Sequence, residues 1–227
     1  MTLWIKKSEL QGTSSKIQKT EIVMNTLKSR KFWDRFEQAA LLVLFGWLVI
    51  RIWPEDILSI NSFALLLLIS EGAVVAILLF RRSTEQISMR PWDWFIATVG
   101  TFAALLVSKG GDPISISVGL PMMVTGMVIH IGAKLSLNRS FGIVAANRGV
   151  KITGMYRFVR HPMYAGYMIS HVGYLLLAPS FWNLAVYVFG WAFLVARIYA
   201  EERILSEDSD YRSFKENVRY RLVPGAF

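Results

Sequence analysis

The chain contains no cysteine, which excludes disulfides, thiolate metal sites and a cysteine nucleophile. That absence leaves the redox compartment undetermined. A cleavable secretory signal is missing too: residues 1–31 are polar and lysine-rich, and the first apolar run begins only near Ala39, so that run would itself direct the chain to a membrane. Internal repeats and low-complexity tracts are absent. Charge is scarce inside long stretches, and one sign dominates where it occurs, 25 Lys and Arg against 16 Asp and Glu for a net charge of +9. Such an excess would suit nucleic acid. The cations, however, fall at the ends of apolar runs and in the N-terminal segment, the placement of the positive-inside rule, so no nucleic-acid partner is expected.

What is present points to lipid. At 227 residues the chain has room for one domain by the soft prior of ~100–200 residues each. A mean hydropathy of +0.41 with 54% hydrophobic and 13% aromatic residues is high for a soluble domain. A hydrocarbon core of ~30 Å needs ~20 helical residues, and four stretches fit: residues 36–53, closed by Pro54-Glu55-Asp56; 60–80, ending on Arg81-Arg82; 92–107, ending at Lys109-Gly110-Gly111-Asp112-Pro113; and 116–137. The first and third connections carry only Arg51 and Lys109 as cations, whereas the N-terminal segment, the second connection and Lys134 to Arg160 are basic. Four spans with both ends cytoplasmic satisfy the rule at every loop. Beyond them, residues 164–177 and 181–198 are apolar around Ala178-Pro179-Ser180 and predict a tight helical hairpin. Residues 199–227 are strongly charged and read as a cytoplasmic helix ending before Pro224-Gly225. The expected layout is an all-α integral membrane protein: a cytoplasmic tail (1–31), four transmembrane helices (32–137), and a catalytic region (138–227) on the cytoplasmic face with a membrane hairpin at 164–199.

The stretch Gly154 to Gly166 holds two arginines, a histidine, a proline and two glycines between apolar segments. Pro162 fixes its own φ and biases His161 away from helix, so a helix should start at Pro162. Its first N–H groups would face whatever binds. Closing the hairpin would bring Arg157, Arg160, His161 and Tyr164 to the membrane face that carries Arg197, Glu201 and Glu202.

Four ordered pieces now stand together: Arg139-Ser140-Phe141-Gly142; Gly154-x-Tyr156-Arg157-x-Val159-Arg160-His161-Pro162-x-Tyr164-x-Gly166; Glu201-Glu202; and Arg221-Leu222-x-Pro224-Gly225. This pattern resembles the isoprenylcysteine carboxyl methyltransferase family, which is similar to phospholipid N-methyltransferases. Met155 departs from it, standing where the family usually has proline. The resemblance implies S-adenosylmethionine as cofactor, no metal, and a lipid-soluble or lipid-anchored acceptor. It implies that His161, Pro162, Tyr164 and Gly166 surround the cofactor, that Glu201 and Glu202 meet its ammonium or sugar end, and that Arg197 orients a substrate carboxylate or steadies the glutamates. A prokaryotic plasma membrane is expected rather than the endoplasmic reticulum.

Other readings stay open at this point. Arg197 and Glu201 stand at i,i+4, also the spacing of an ordinary surface ion pair. A phospholipid or small-thiol acceptor, an NADPH-dependent sterol-reductase-like protein, which resembles the same Arg-His-Pro stretch in a longer chain, and a non-enzymatic membrane scaffold are the alternatives. Glu71 and His130, polar residues inside the second and fourth spans, suit either a packed interior or a substrate tunnel.

Overall fold

The computed structural model describes residues 2–53, 62–108 and 110–227, and among them the regular structure is helical. Helix α1 runs from Thr2 to Ile52, α2 from Ser62 to Leu79, α3 from Pro91 to Phe102, α4 from Ile116 to Leu137, α5 from Pro162 to Leu177, α6 from Phe181 to Leu205 and α7 from Ser209 to Asn217. The start signals lie in the sequence. Proline occupies the first position of α3 and α5, where its missing N–H costs nothing. Ser180 caps α6 by accepting from the Asn183 N–H, and Asp208 caps α7 by accepting from Asp210. The expected tail has helical backbone continuous with the first span. The Pro54-Glu55-Asp56 turn, the start of the second span at residue 60 and Lys109 lie outside the described residues.

Helices α4 and α6 are long and apolar enough to cross a membrane. Over their described residues the expected spans at 36–53, 60–80 and 92–107 are helical up to Ile52, Leu79 and Leu106, the last through a 3-10 turn over Ala103–Leu106. Large apolar side chains, Val43, Ile50, Phe80 and Phe181 among them, lie exposed on the helix faces, as they should where the surrounding medium is hydrocarbon rather than water.

The main seam joins α4 to α5 and is made of small residues. A Cβ added at Gly126 would meet the backbone N of Ser170 at 2.5 Å and the Gly166 oxygen at 2.6 Å, and one at Gly173 would meet the Met123 N at 2.5 Å. Only glycine permits that approach, the device by which helices associate without a hydrophobic drive between them. The chain does turn sharply at Ala178-Pro179-Ser180, but the arms then part: α5 packs chiefly on α4 and α6 chiefly on α3. Gly190 faces Ala103, and Arg203 pairs with Asp93 across the second contact. Asn183, wholly buried, secures the turn, donating through Nδ2 to the Ser108 and Ala178 carbonyls (both 3.0 Å) and accepting from the Ser108 N–H at 3.0 Å. Asn183→Leu should cost about 2–4 kcal/mol, since each stranded buried group costs ~1–3 kcal/mol. Thermal unfolding in detergent reads it, and an unchanged midpoint would show that water replaces the amide.

The described part of α1 turns one charged face inward. Asp34, Glu37, Gln38 and Leu41 are buried, with Phe45 further along, the spacing of a single helical stripe. Glu37 Oε2 accepts from Arg81 Nη1 (2.8 Å) and Arg148 Nη2 (2.6 Å), while Asp34 Oδ1 accepts from Arg81 Nη2 (3.1 Å) and Arg148 Nη2 (2.8 Å). All four side chains are closed to solvent. Two carboxylates against two guanidiniums cancel, the condition under which buried charge is tolerated. The cluster ties α1 to the α2–α3 connection and to the loop after α4.

Candidate active site

Gly154, with φ of +63°, turns the chain out of the loop, in a conformation costly for any residue with a Cβ. A Cβ there would also meet Ser136 Oγ at 2.3 Å. A short 3-10 turn over Gly154–Arg157 follows. The N–H groups of Arg160 and His161 then donate to the Tyr220 and Arg221 carbonyls at 2.9 and 2.8 Å, so the C-terminal segment is stitched to the residues that precede α5. Helix α5 starts at Pro162, as the ring dictates.

From the other side α6 presents Arg197, Glu201 and Glu202, and the clusters meet. Glu201 Oε1 accepts from the Tyr164 hydroxyl and from Arg197 Nε at 3.2 Å. Its Oε2 faces His161 Nδ1 at 3.6 Å, beyond hydrogen-bond reach. Glu202 is taken up by three partners: Oε1 accepts from Arg160 Nε at 2.8 Å and lies 3.4 Å from His161 Nε2, and Oε2 accepts from Arg221 Nη2 at 3.0 Å. Arg160 also donates through Nη1 to the Val218 and Arg219 carbonyls. Glu202 therefore fastens the C-terminal segment to α5 and α6, and Glu201 is the carboxylate left facing open space.

Two cavities adjoin this cluster. The smaller, about 80 Å³, is lined by Gly142, Tyr156, His161, Tyr164, Glu201 and, on α7, Tyr211 among others. Burial pushes the Tyr156 and Tyr211 phenols well above their ordinary range, with Glu201 and Glu202 respectively adding to it, so both stay neutral. The larger, about 400 Å³, is mostly apolar and runs between helices, with Phe45, Met127, Tyr167, Leu194 and Arg197 on its walls. Met163 lines both. An ion pair thus stands between the two, Glu201 lining the small cavity and Arg197 the large apolar one.

Not every expected site residue reaches the small cavity. His161, Tyr164 and Glu201 line it. Pro162 is buried at the start of α5 but stays off that wall, and Glu202 is taken up by Arg160 and Arg221. Gly166 belongs to the helix seam: a Cβ there would meet the backbone N of His130 at 2.6 Å. Arg157 is exposed and lies over the Phe158 ring. Glu71 accepts from Ser70 and pairs with Lys134 Nζ at 3.6 Å, and with His130 it lines the large cavity. Residues not singled out from sequence include Met163, Phe214, Arg148 and His171, the last stacked on Tyr187 and accepting from Trp191 Nε1 at 3.1 Å. A usable signal existed for His171: it follows Tyr164 and Tyr167 at helical spacing.

Comparison with known proteins places this geometry. The model of the isoprenylcysteine carboxyl methyltransferase (ICMT) family matches residues 119–207, from α4 through the turn after α6. A curated relative, Protein-S-isoprenylcysteine O-methyltransferase A of Arabidopsis thaliana, is 32% identical over 108 residues, which is 44% of this chain and 55% of the relative. The chain thus spans about half the length of the curated relative it matches. Over the segment that supplies His161, Tyr164, Arg197 and both glutamates, the chain is similar to the isoprenylcysteine carboxyl methyltransferase family.

Proposed function

We propose that the chain is an integral-membrane methyltransferase that uses S-adenosylmethionine and methylates a lipophilic acceptor, an isoprenylcysteine-type carboxylate in the first instance. One observation carries the reading: an arginine–glutamate pair stands between a small cavity lined by charged, phenolic and apolar side chains and a large, mostly apolar one. Few arrangements suit a reaction between a water-soluble cation and a lipid-soluble anion so directly.

The residues present fit the cofactor's amino-acid end. Glu201 Oε2, whose nearest partner is His161 at 3.6 Å, has capacity for an ammonium group. Tyr156 and Tyr164 line the same cavity. When bound, the cofactor supplies an electrophilic methyl group for in-line displacement. The chain's own residues do the rest. Arg197 orients the acceptor carboxylate at the mouth of the apolar cavity. Met163 and the neighbouring apolar walls keep water out, which favours a step in which an anion and a cation cancel.

Basic residues on the connections near this end, among them Arg82, Arg90 and Arg139, support a cytoplasmic position for the site by the positive-inside rule. Calorimetric titration of the detergent-purified protein with S-adenosylhomocysteine, with NADPH as comparison, tests the reading. Saturable binding of the first alone is expected. Transfer of a labelled methyl group to an N-acylated S-prenylcysteine, but not to phosphatidylethanolamine or an alkyl thiol, is expected next. Binding of NADPH alone would remove the proposal.

A further inference from the structure

Arg197 is held on three sides. Its Nε donates to Glu201, its Nη1 reaches Thr101 Oγ1 at 3.5 Å, and its Nη2 donates to the Gly142 carbonyl at 3.1 Å. The last partner is backbone, and the N–H of the same peptide unit, that of Ile143, donates to Glu37 Oε1 at 2.8 Å. The Val144 N–H donates to the same oxygen at 2.9 Å. We propose that Glu37 of α1 is a positioning residue for Arg197, acting through the single peptide unit between Gly142 and Ile143. This rests on the methyltransferase reading for Arg197's role, but the linkage stands on geometry.

A peptide unit is planar, so fixing its N–H fixes its C=O. Glu37 holds two consecutive N–H groups on one oxygen, while Arg81 and Arg148 hold the other oxygen. The carboxylate therefore has no freedom to swing, and neither has the carbonyl that aims the Arg197 guanidinium. A full negative charge at the N–H end also polarises the peptide and strengthens its oxygen as an acceptor, an effect that grows where water is excluded. Arg148 also packs close against Gly142, where a Cβ would lie 2.4 Å from its Nη1. Glu37 lies outside residues 119–207, so this control over the arginine comes from the part of the chain that the family match leaves out.

The test is Glu37→Asp. Shortening the side chain by one methylene keeps the charge balance with Arg81 and Arg148 but prevents one carboxylate from reaching both the guanidiniums and the two amides. Methyl transfer to the S-prenylcysteine probe should fall about 10- to 100-fold in kcat, the scale of an ångström-sized misplacement, while S-adenosylhomocysteine affinity changes less than about threefold. In an Arg197→Lys background the same substitution should have less than about a threefold effect, because residues acting as one unit are not additive. Independently of turnover, the Arg197 Nε–H resonance in a 15N-arginine spectrum, assigned by its loss in Arg197→Lys, should shift in Glu37→Asp. That signal separates the two ideas: a shift without any methyl transfer leaves the linkage standing and removes only the enzymatic reading. Additive effects with an unmoved Arg197 resonance would overturn the proposal. If Glu37→Asp does not purify folded, Glu37→Gln, which keeps the length and loses the charge, serves for the same spectrum. Failure of both variants to unfold cooperatively would make Glu37 a folding determinant and overturn it as well.

Discussion

Glu201→Gln is expected to weaken S-adenosylhomocysteine binding about 10- to 100-fold, the worth of ~1.5–3 kcal/mol for a hydrogen bond to a charged group, while the protein still folds. The Glu201 side chain is about one-fifth exposed, although Arg197 and Tyr164, which it serves, are buried, so a smaller loss of stability accompanies the loss of binding. Tyr164 and Arg197 both use Oε1, and glutamine keeps an oxygen that serves them. What changes is the other terminus, where an NH₂ would face the ligand's ammonium with the wrong polarity. Glu202→Gln provides the contrast. It leaves the buried Arg160 guanidinium without its anion and loosens Arg221, so its main effect should be a loss of about 3 kcal/mol of stability, the lower end for breaking a buried pair. Adjacent glutamates would thus separate into a binding phenotype and a stability phenotype. Calorimetry and thermal unfolding on both variants decide it. Equal binding losses without a change in midpoint for Glu202→Gln would show that both carboxylates face the ligand.

The second large effect is structural. Gly126→Ala should cost more than about 3 kcal/mol, the top of the range usual for overpacking, because the added methyl meets backbone: the Ser170 N and the Gly166 oxygen lie within 2.6 Å of where it would sit. Neither helix can yield by rotating a side chain, so α4 and α5 must separate, and the His130 and Tyr167 walls of the large cavity separate with them. Gly46→Ala and Gly72→Ala meet nothing within 4 Å and should be neutral or stabilising by roughly 0.5–1 kcal/mol through helix propensity. Detergent unfolding midpoints for the three variants are the measurement. A Gly126→Ala protein as stable as the others would mean that the seam is slack in the membrane.

Helix positions were legible because long apolar runs and proline starts are local properties. Pro162 and Ser180 set their helices from sequence alone. The motif residues were legible as a set, and His161, Tyr164, Arg197 and Glu201 do converge. Their individual duties were not. Glu201 and Glu202 differ by one position on a helix, which is a rotation of about 100°, and only the placement of Arg160 and Arg221 shows which one is taken up. Gly166 stood inside a motif and so suggested a ligand, whereas it answers to Gly126 across the seam. The parting of α5 and α6 was hidden because a turn sequence specifies reversal, not which neighbour each arm then chooses. Asp34 and Glu37 were passed over in a segment that is polar almost throughout. The clue was their register: with Gln38, Leu41 and Phe45 they mark one buried stripe, but composition alone cannot separate a charged core stripe from solvated charge.

Because Arg197 and Glu201 hang from one turn of one helix, the interval between the two cavities is set by the pitch of α6, about 5.4 Å, and by nothing in the surrounding lipid. Bilayers differ in thickness, and a helix responds by tilting or shifting along the normal. Such a movement carries both walls together. The paired side chains keep their spacing while the helix changes its attitude, so the geometry at the wall is insulated from the elastic state of the surrounding medium.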